Sequence, residues 1–243
     1  MSILVALDRL HLQAKQNEWL RYFAIFNRIA LAIGFFAGGM VKIVGERFAS
    51  GLSVKHPMGS YLEALHHTGY YYTFIGVLQV AAAILLLIPR TVLLGALIYF
   101  PIILNIFVLS FAVRFDGSLF TSPLMVISNL FLLCWHYDRL KYVLPFKHPA
   151  IDAAAAKPER ISNKFPVLFF AGVVATVIFF LFIAANLYDI KPYNSFVDCK
   201  KQFIGTNRTT AGDAFCDCIH NNGQQLDSCL DKYNKAPNDK PLR

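Results

Sequence analysis

The chain has 243 residues, of which 56% are hydrophobic and only 16% are charged. A soluble domain carries charge on about a quarter of its residues, so this composition excludes an ordinary soluble globular fold. Lys and Arg outnumber Asp and Glu by 23 to 15. The basic residues flank apolar stretches, however, and form no cluster on a polar domain, which argues against nucleic acid as a partner.

Five apolar stretches approach the ~20 residues that a helix needs to cross a bilayer. Before them the sequence predicts an amphipathic lead over residues 1–21, with no signal-peptide pattern. A basic linker at residues 149–164 and a polar tail at 188–243 flank the last stretch. We predict an all-α membrane protein, with a four-helix bundle in residues 22–148, a fifth transmembrane helix and a small helical tail. The predicted spans cover residues 22–45, 69–89, 91–113, 118–136 and 165–187.

Basic residues in short loops indicate orientation, because positively charged loops remain on the cytoplasmic side of a membrane. If the five spans alternate in direction, most basic residues of the lead, the loops and the linker share the side of the N-terminus. Only three basic loop residues fall on the opposite side: Arg47, Lys55 and Arg114. We therefore expect a cytoplasmic N-terminus and linker, and a tail on the opposite side of the membrane.

The tail contains four cysteines, which is an even set in a short polar segment: Cys199, Cys216, Cys218 and Cys229. Such a set is typical of disulfide-bonded segments outside the cytoplasm. Because Cys216 and Cys218 point to different sides of a helix, we expect Cys199 to bond one of them and Cys229 the other. A zinc site is disfavoured, since the C-x-C step is shorter than the usual ligand spacing. A redox-active pair is the third interpretation. Such a pair needs a thiol with a lowered pKa, whereas the negative charge of Asp217 would raise the pKa of the neighbouring thiols.

Five polar side chains lie inside the predicted spans, where a polar group is costly unless it has a partner. They are Arg28, Lys42, Gln79, Asn105 and Asn129. With alternating spans the three amides share one depth, which permits a polar cluster in the bundle core. The cluster is interpreted either as a site for a quinone headgroup or small anion, with the cations supplying charge, or as packing. In the packing interpretation the amides bond across helices and the cations extend to the membrane surface.

Acidic residues and histidines are missing from the middle of every predicted span. This distribution argues against a proton-coupled transporter and against a transmembrane haem. Glu63, His66 and His67 lie in the loop after the first span, where we interpret them as a wet turn at the membrane surface. The alternative is an acid–base or metal site, but three ligands without regular spacing are a poor metal signal. No catalytic residue and no metal site are predicted.

Three segments resemble the bacterial DoxX family of four-helix inner-membrane proteins: NRIALAIGFFAGGMVKIVGERF, IGVLQVAAAILLLIPRTVLLGALIYFPIILNIFVLSFAVRFDG and LLCWHYDRL. The resemblance covers residues 22–146, about half the chain, and leaves out the fifth span and the tail. It implies the bacterial inner membrane, with the tail in the periplasm. It also implies a redox neighbourhood, since DoxX relatives include a subunit of thiosulfate:quinone oxidoreductase and the MauE group, which supports disulfide formation in a partner enzyme.

The expected function is that of an accessory or anchoring subunit in a membrane or periplasmic complex. Its partners would be membrane lipid and a protein that binds the tail. The alternative is a subunit of a quinone-linked oxidoreductase that handles thiosulfate or thiols, with a quinone as its cofactor. Native mass spectrometry that detects a protein partner or a quinone would separate these two functions.

Overall fold

The computed structural model describes residues 10–141 and 162–239. Within these residues the structure contains helices and no strand, which confirms the predicted all-α class. The predicted lead is described from residue 10 onward and the linker only at residues 162–164. The remaining parts of both predictions lie outside the described residues. The helices are α1 (Glu18–Val44), α2 (Pro57–His66), α3 (Tyr70–Leu87), α4 (Val92–Ala112), α5 (Thr121–Trp135), α6 (Tyr137–Leu140), α7 (Val167–Asn186), α8 (Phe196–Lys201), α9 (Thr209–His220) and α10 (Leu226–Lys235).

Four of the described helices, α1, α3, α4 and α7, are long and apolar enough to cross a membrane. All five predicted spans are helical, but the fourth forms only the 15-residue apolar helix α5. At 1.5 Å per residue, α5 is about 22 Å long, whereas a hydrocarbon core is about 30 Å thick. The structure therefore confirms four helices of membrane-spanning length and gives a shorter fourth segment than expected.

Among the described residues, one compact unit comprises residues 10–37, 78–103, 124–141 and 162–179. Its interior is lined by aliphatic and small side chains of α1, α3, α4 and α5. The ring of Phe23 on α1 has its centroid 5.0 Å from that of Phe131 on α5 and 5.4 Å from that of Phe169 on α7. These ring contacts attach the start of α7, whose described residues are otherwise exposed or only partly buried.

The other compact unit comprises, among the described residues, 38–77, 104–123 and 180–239. It contains α2 and the tail helices α8, α9 and α10. Disulfides join Cys199 to Cys216 and Cys218 to Cys229, which confirms the expected pairing scheme and selects one of its two forms. All four sulfurs belong to one buried cluster with the rings of Phe203, Phe215 and Tyr233. The tail thus has its own small core, held by two covalent bonds.

Candidate functional site

Three buried polar side chains come from three different helices of the first unit. Gln79 on α3 is 4% exposed, and Tyr99 on α4 and Asn129 on α5 are each 0% exposed. Asn129 donates its amide N–H to the carbonyl of Ala96, one turn before Tyr99, at 3.1 Å. The ring of Tyr99 stacks on that of Phe35 of α1, with 3.4 Å between centroids. We call Gln79, Tyr99 and Asn129 the polar layer.

The register of the helices places these three side chains at one level. Arg28 of α1 bonds the carbonyl of Leu86, near the end of α3, and Gly76 near the start of α3 lies against Gly39 near the end of α1, so the two helices run antiparallel. Phe35 follows Arg28 on α1 by seven residues, and Gln79 precedes Leu86 on α3 by seven residues, which is about two turns in each helix. Because the helices are antiparallel, Phe35 and Gln79 lie at the same level. Tyr99 stacks on Phe35, so it lies at that level as well. Asn129 of α5 bonds the carbonyl of Ala96, one turn before Tyr99 on α4, so its side chain lies within about one turn of the same level.

Each residue of the polar layer has one buried atom without a hydrogen-bond partner among the described residues. These atoms are Gln79 Oε1, Tyr99 Oη and Asn129 Oδ1. A buried polar atom left without a partner costs about 1–3 kcal/mol, and such atoms in native proteins are usually satisfied by ordered water or by a ligand. The polar layer is therefore the place in this unit where a small hydrogen-bonding molecule would be stabilised.

Asn105 does not belong to this layer, which corrects the expectation from the sequence. The inward face of α4 is marked by the buried residues Ala96, Tyr99 and Ile103. Asn105 follows Ile103 by two residues, about 200° further around the helix, and its side chain is exposed. The depth of Asn105 was predicted from the sequence, but the direction in which it points was not. Tyr99 is the α4 residue that contributes to the layer.

Arg28 serves as a cap for the end of α3. Its Nε donates to the carbonyl of Leu86 at 2.8 Å, and one terminal nitrogen donates to the carbonyl of Leu87 at 2.7 Å. The last carbonyls of a helix have no partner inside the helix, and they carry the negative end of its dipole. The guanidinium therefore satisfies α3, which favours the packing interpretation of Arg28.

Lys42 is enclosed by protein groups near the end of α1. Its side chain is 7% exposed, and Nζ donates to the carbonyl of Gly38 at 2.9 Å. The ammonium also lies 4.6 Å from the ring centroid of Phe48 and 5.8 Å from that of Tyr72. Aromatic rings attract a cation through their negative faces. The structure therefore gives Lys42 partners within the protein, and its expected extension to the membrane surface stays a prediction.

Glu63 and His66 near the end of α2, with His67 directly after it, form an ion pair, a side-chain hydrogen bond and a backbone contact. Glu63 lies 3.3 Å from Nε of Arg47 and 3.1 Å from Nε2 of His67. His66 bonds the carbonyl of Gly45 at 3.0 Å. Among the described residues, no group of three or more His, Cys, Asp or Glu is placed to hold a metal ion. The geometry thus favours the surface-turn interpretation of this loop.

Sequence reasoning missed a buried pair of histidines in the second unit. His56 precedes α2 and is 1% exposed, while His220 ends α9 and is 7% exposed. Their ring centroids are 5.8 Å apart. Nδ1 of His56 accepts the N–H of Met58 at 3.1 Å and so caps α2, and Nε2 of His220 donates to the carbonyl of Pro192 at 2.7 Å. Burial, reinforced by the neighbouring His220, lowers the pKa of His56 to about 4.

The tail is attached to the loops of the second unit by cations that bond backbone carbonyls. Nζ of Lys55, in the loop after α1, donates to the carbonyl of Asn221 at 2.6 Å. Arg114, in the loop after α4, donates to the carbonyl of Ile190 at 2.7 Å. We call Lys55, Arg114 and the pair His56 and His220 the docking face, because they join the tail to the loops of the same chain. Its partners are separated by up to 166 residues in the sequence, so no local motif announces them.

Comparisons with known proteins identify one relative. No family model matches the chain, so the resemblance to DoxX proteins remains a prediction, and no solved structure matches it. Over 132 residues the chain is 37% identical to the uncharacterized protein YwoB of Bacillus subtilis strain 168, and this alignment covers 52% of the chain and 83% of YwoB. The chain belongs to the family of YwoB.

Proposed function

We propose that this protein is an accessory or anchoring subunit of a membrane complex, whose bundle holds a disulfide-bonded tail in place for a protein partner. The docking face is the observation that carries this proposal. Lys55 and Arg114 bond the tail to the loops, and the two disulfides restrict the tail to one shape. A rigid, positioned domain loses less conformational entropy when a partner binds it.

The surroundings of the two intramembrane cations support the same function. Arg28 is engaged by the carbonyls that end α3, and Lys42 is enclosed by Phe48 and Tyr72. Both side chains thus have partners that belong to the fold. A subunit whose bundle serves mainly as an anchor requires this kind of internal packing.

The proposed location is the bacterial cytoplasmic membrane, with the lead and linker in the cytoplasm and the tail outside, in the periplasm where the cell has one. Disulfides persist in extracytoplasmic compartments and are rare in the cytosol. Basic residues flank the spans on the side assigned to the cytoplasm, as is usual for membrane proteins. A role like that of DoxX-type complex subunits fits this arrangement and belongs to the proposal.

The test is to cross-link the tagged full-length chain in its own membrane, extract it and identify what it retains by mass spectrometry. We expect a protein partner in fixed stoichiometry, and we expect a large loss of that partner when Lys55→Gln and Arg114→Gln are combined. Lys201→Gln is the matched control, because Lys201 is an exposed tail cation that pairs only locally with Asp198. Equal capture by the double variant and the wild type would overturn the role of the docking face, and no partner at all would overturn the subunit function.

A quinone-linked oxidoreductase subunit is the second candidate, and the polar layer is the observation that favours it. The carbonyl oxygens of a quinone accept hydrogen bonds, and the hydroxyl of Tyr99 is a buried donor with no described partner. The buried Oε1 of Gln79 also has no described partner, but it is an acceptor, so it would accept from a hydroxyl of the reduced quinol and would not bond a quinone carbonyl. A quinone–quinol couple that engaged Tyr99 and Gln79 in this way would remove the cost of leaving these atoms unsatisfied.

Quinone content separates the two candidates. If the second candidate is right, organic extraction of the purified wild type yields about one quinone per chain, and Tyr99→Phe reduces this amount severalfold. Tyr70→Phe is the control, since Tyr70 is 89% exposed and its substitution removes a hydroxyl outside the layer. Quinone that is absent from the wild type, or that is retained equally by Tyr99→Phe, would exclude a quinone site in the polar layer.

A further inference from the structure

Three arginine residues meet at the turn between α3 and α4. Arg28 bonds the last carbonyls of α3, those of Leu86 and Leu87. Arg139 of α6 donates from Nη1 to the carbonyl of Arg90 at 3.3 Å. The side chains of Arg90 and Arg139 are exposed, and that of Arg28 is partly buried. Two guanidinium groups are thus bonded to the backbone at a turn of four residues, 88–91, which itself contains a third arginine.

No carboxylate neutralises these arginines within the described part of the chain. Asp138 is adjacent to Arg139 in the sequence, but its carboxylate lies 3.7 Å from Nζ of Lys15 and 3.9 Å from Nε2 of His11. The hydrogen-bond acceptors described for Arg28 and Arg139 are backbone carbonyls, which carry no net charge. The negative end of the α3 dipole partly offsets the charge of Arg28, and no described carboxylate pairs with Arg90 or Arg139, so the turn keeps a net positive charge.

We propose that Arg28, Arg90 and Arg139 form a binding site for an anion of the phosphate class at the α3–α4 turn. A guanidinium has five N–H donors in a planar fork, and Arg28 and Arg139 use only one or two of theirs on carbonyls. The remaining donors suit the oxygens of a phosphate, which arginine commonly binds in a bidentate manner. The carbonyl bonds hold Arg28 and Arg139 at the turn before the anion arrives.

A phosphate group at this position has two sources, the headgroup of an anionic phospholipid and free inorganic phosphate. Trp19 and Tyr22, at the start of α1, are 41% and 60% exposed, and exposed aromatic residues of this kind are typical of the level of lipid headgroups. Basic clusters next to spans commonly bind anionic lipid at that level. This site does not depend on the protein partner proposed above, because a lipid headgroup fills it whether or not that partner is bound.

The experiment uses the purified full-length chain in a neutral detergent and measures adducts by native mass spectrometry. One arm titrates short-chain phosphatidylglycerol, a second titrates phosphatidylcholine, and a third titrates inorganic phosphate. We expect one phosphatidylglycerol to bind the wild type more tightly than phosphatidylcholine. The double substitution Arg90→Gln and Arg139→Gln should weaken this binding at least about tenfold, since a hydrogen bond to a charged group contributes roughly 1.5–3 kcal/mol.

The control is Arg21→Gln, because Arg21 is an exposed cation on α1 outside the α3–α4 turn. Both altered arginines in the test variant are exposed, so its thermal unfolding in the absence of lipid should match that of the wild type. Binding of phosphatidylglycerol alone identifies a lipid headgroup site, and binding of inorganic phosphate alone identifies a site for a soluble anion. Equal weakening by Arg21→Gln, or no weakening in the double variant, would show general surface attraction and overturn the proposal.

Discussion

The tail and the polar layer satisfy their buried polar groups in different ways. In the tail, the side-chain amide of Gln202 accepts the N–H of Lys191 and donates to the carbonyls of Lys191 and Cys199. In the polar layer, by contrast, Gln79 and Tyr99 each have a buried oxygen without a described partner. One tail atom, Nε of Arg208, is also buried without a described partner, but two disulfides fix the shape of the tail. In the polar layer, every residue leaves one hydrogen-bonding atom unused.

The difference in size explains why the tail needs staples. A segment of about 50 residues buries too little apolar surface to compensate for its loss of chain entropy. The cluster around Phe203 and Phe215 is correspondingly small and includes all four disulfide cysteines. Long apolar helices in a bilayer have their backbone bonds satisfied internally and need no such cross-links, but each side-chain atom that they leave unsatisfied is costly there. Three predictions test this contrast.

The largest effect is expected from removal of a disulfide. Replacing Cys218 and Cys229 by Ser should destabilise the tail by about 2–5 kcal/mol, because the cross-link limits the freedom of the unfolded tail. Limited proteolysis should then cleave the tail of the variant much faster than that of the wild type, while circular dichroism shows that the bundle helices remain. Equal cleavage rates would mean that packing around the tail core is sufficient without the bond.

The second-largest effect is a loss of stability at acidic pH, which arises from His56 in the docking face. His56 is buried neutral, and its pKa in the folded protein is about 4, below the ordinary value of about 6.5 in an unfolded chain. The unfolded state therefore binds the proton more readily. Neutral, buried His56 therefore contributes its full stabilisation above about pH 6.5. As the pH falls toward 4, the free energy of unfolding decreases by about 3 kcal/mol in total. Thermal unfolding of the full-length protein measured from pH 7 to pH 4 should follow this decline.

His56→Asn separates titration from capping in that experiment. Asn is a good helix N-cap, so it should retain an acceptor for the N–H of Met58, the bond that His56 makes now. We expect the variant to lose the part of the pH dependence that His56 contributes while α2 stays folded. An unchanged slope between pH 6.5 and 4 would assign the acid sensitivity to other groups.

The helices and the disulfide scheme could be predicted from the sequence because both depend on local information. Runs of apolar residues locate a spanning helix, and the even set of tail cysteines limits the pairing. The side on which a residue points was harder to predict. In a helix that is apolar all round, nothing in the sequence distinguishes the direction of Asn105, which is exposed, from that of Tyr99, which is buried.

Contacts between distant residues were the other part that the sequence could not predict. His56 and His220 are 164 positions apart and belong to different helical segments, and neither lies in a recognisable motif. Lys42 shows a related limit. Its place near the end of the first span suggested a side chain that extends to the surface, and nothing in that span indicated that Phe48 of the following loop contacts it.

The smallest effect is also the one that most directly tests the contrast between satisfied and unsatisfied polar groups. Tyr99→Phe removes a buried hydroxyl that has no described partner, so the stability of an empty bundle should stay equal or rise by up to about 1 kcal/mol. Tyr72→Phe is the matched control. The Tyr72 hydroxyl donates to the carbonyl of Glu46 at 2.9 Å and accepts the N–H of Phe48 at 2.8 Å, so its loss should cost about 1 kcal/mol or more. Opposite signs in thermal unfolding would confirm that the polar layer is unfilled, whereas destabilisation by both substitutions would mean that a water molecule or a ligand occupies it.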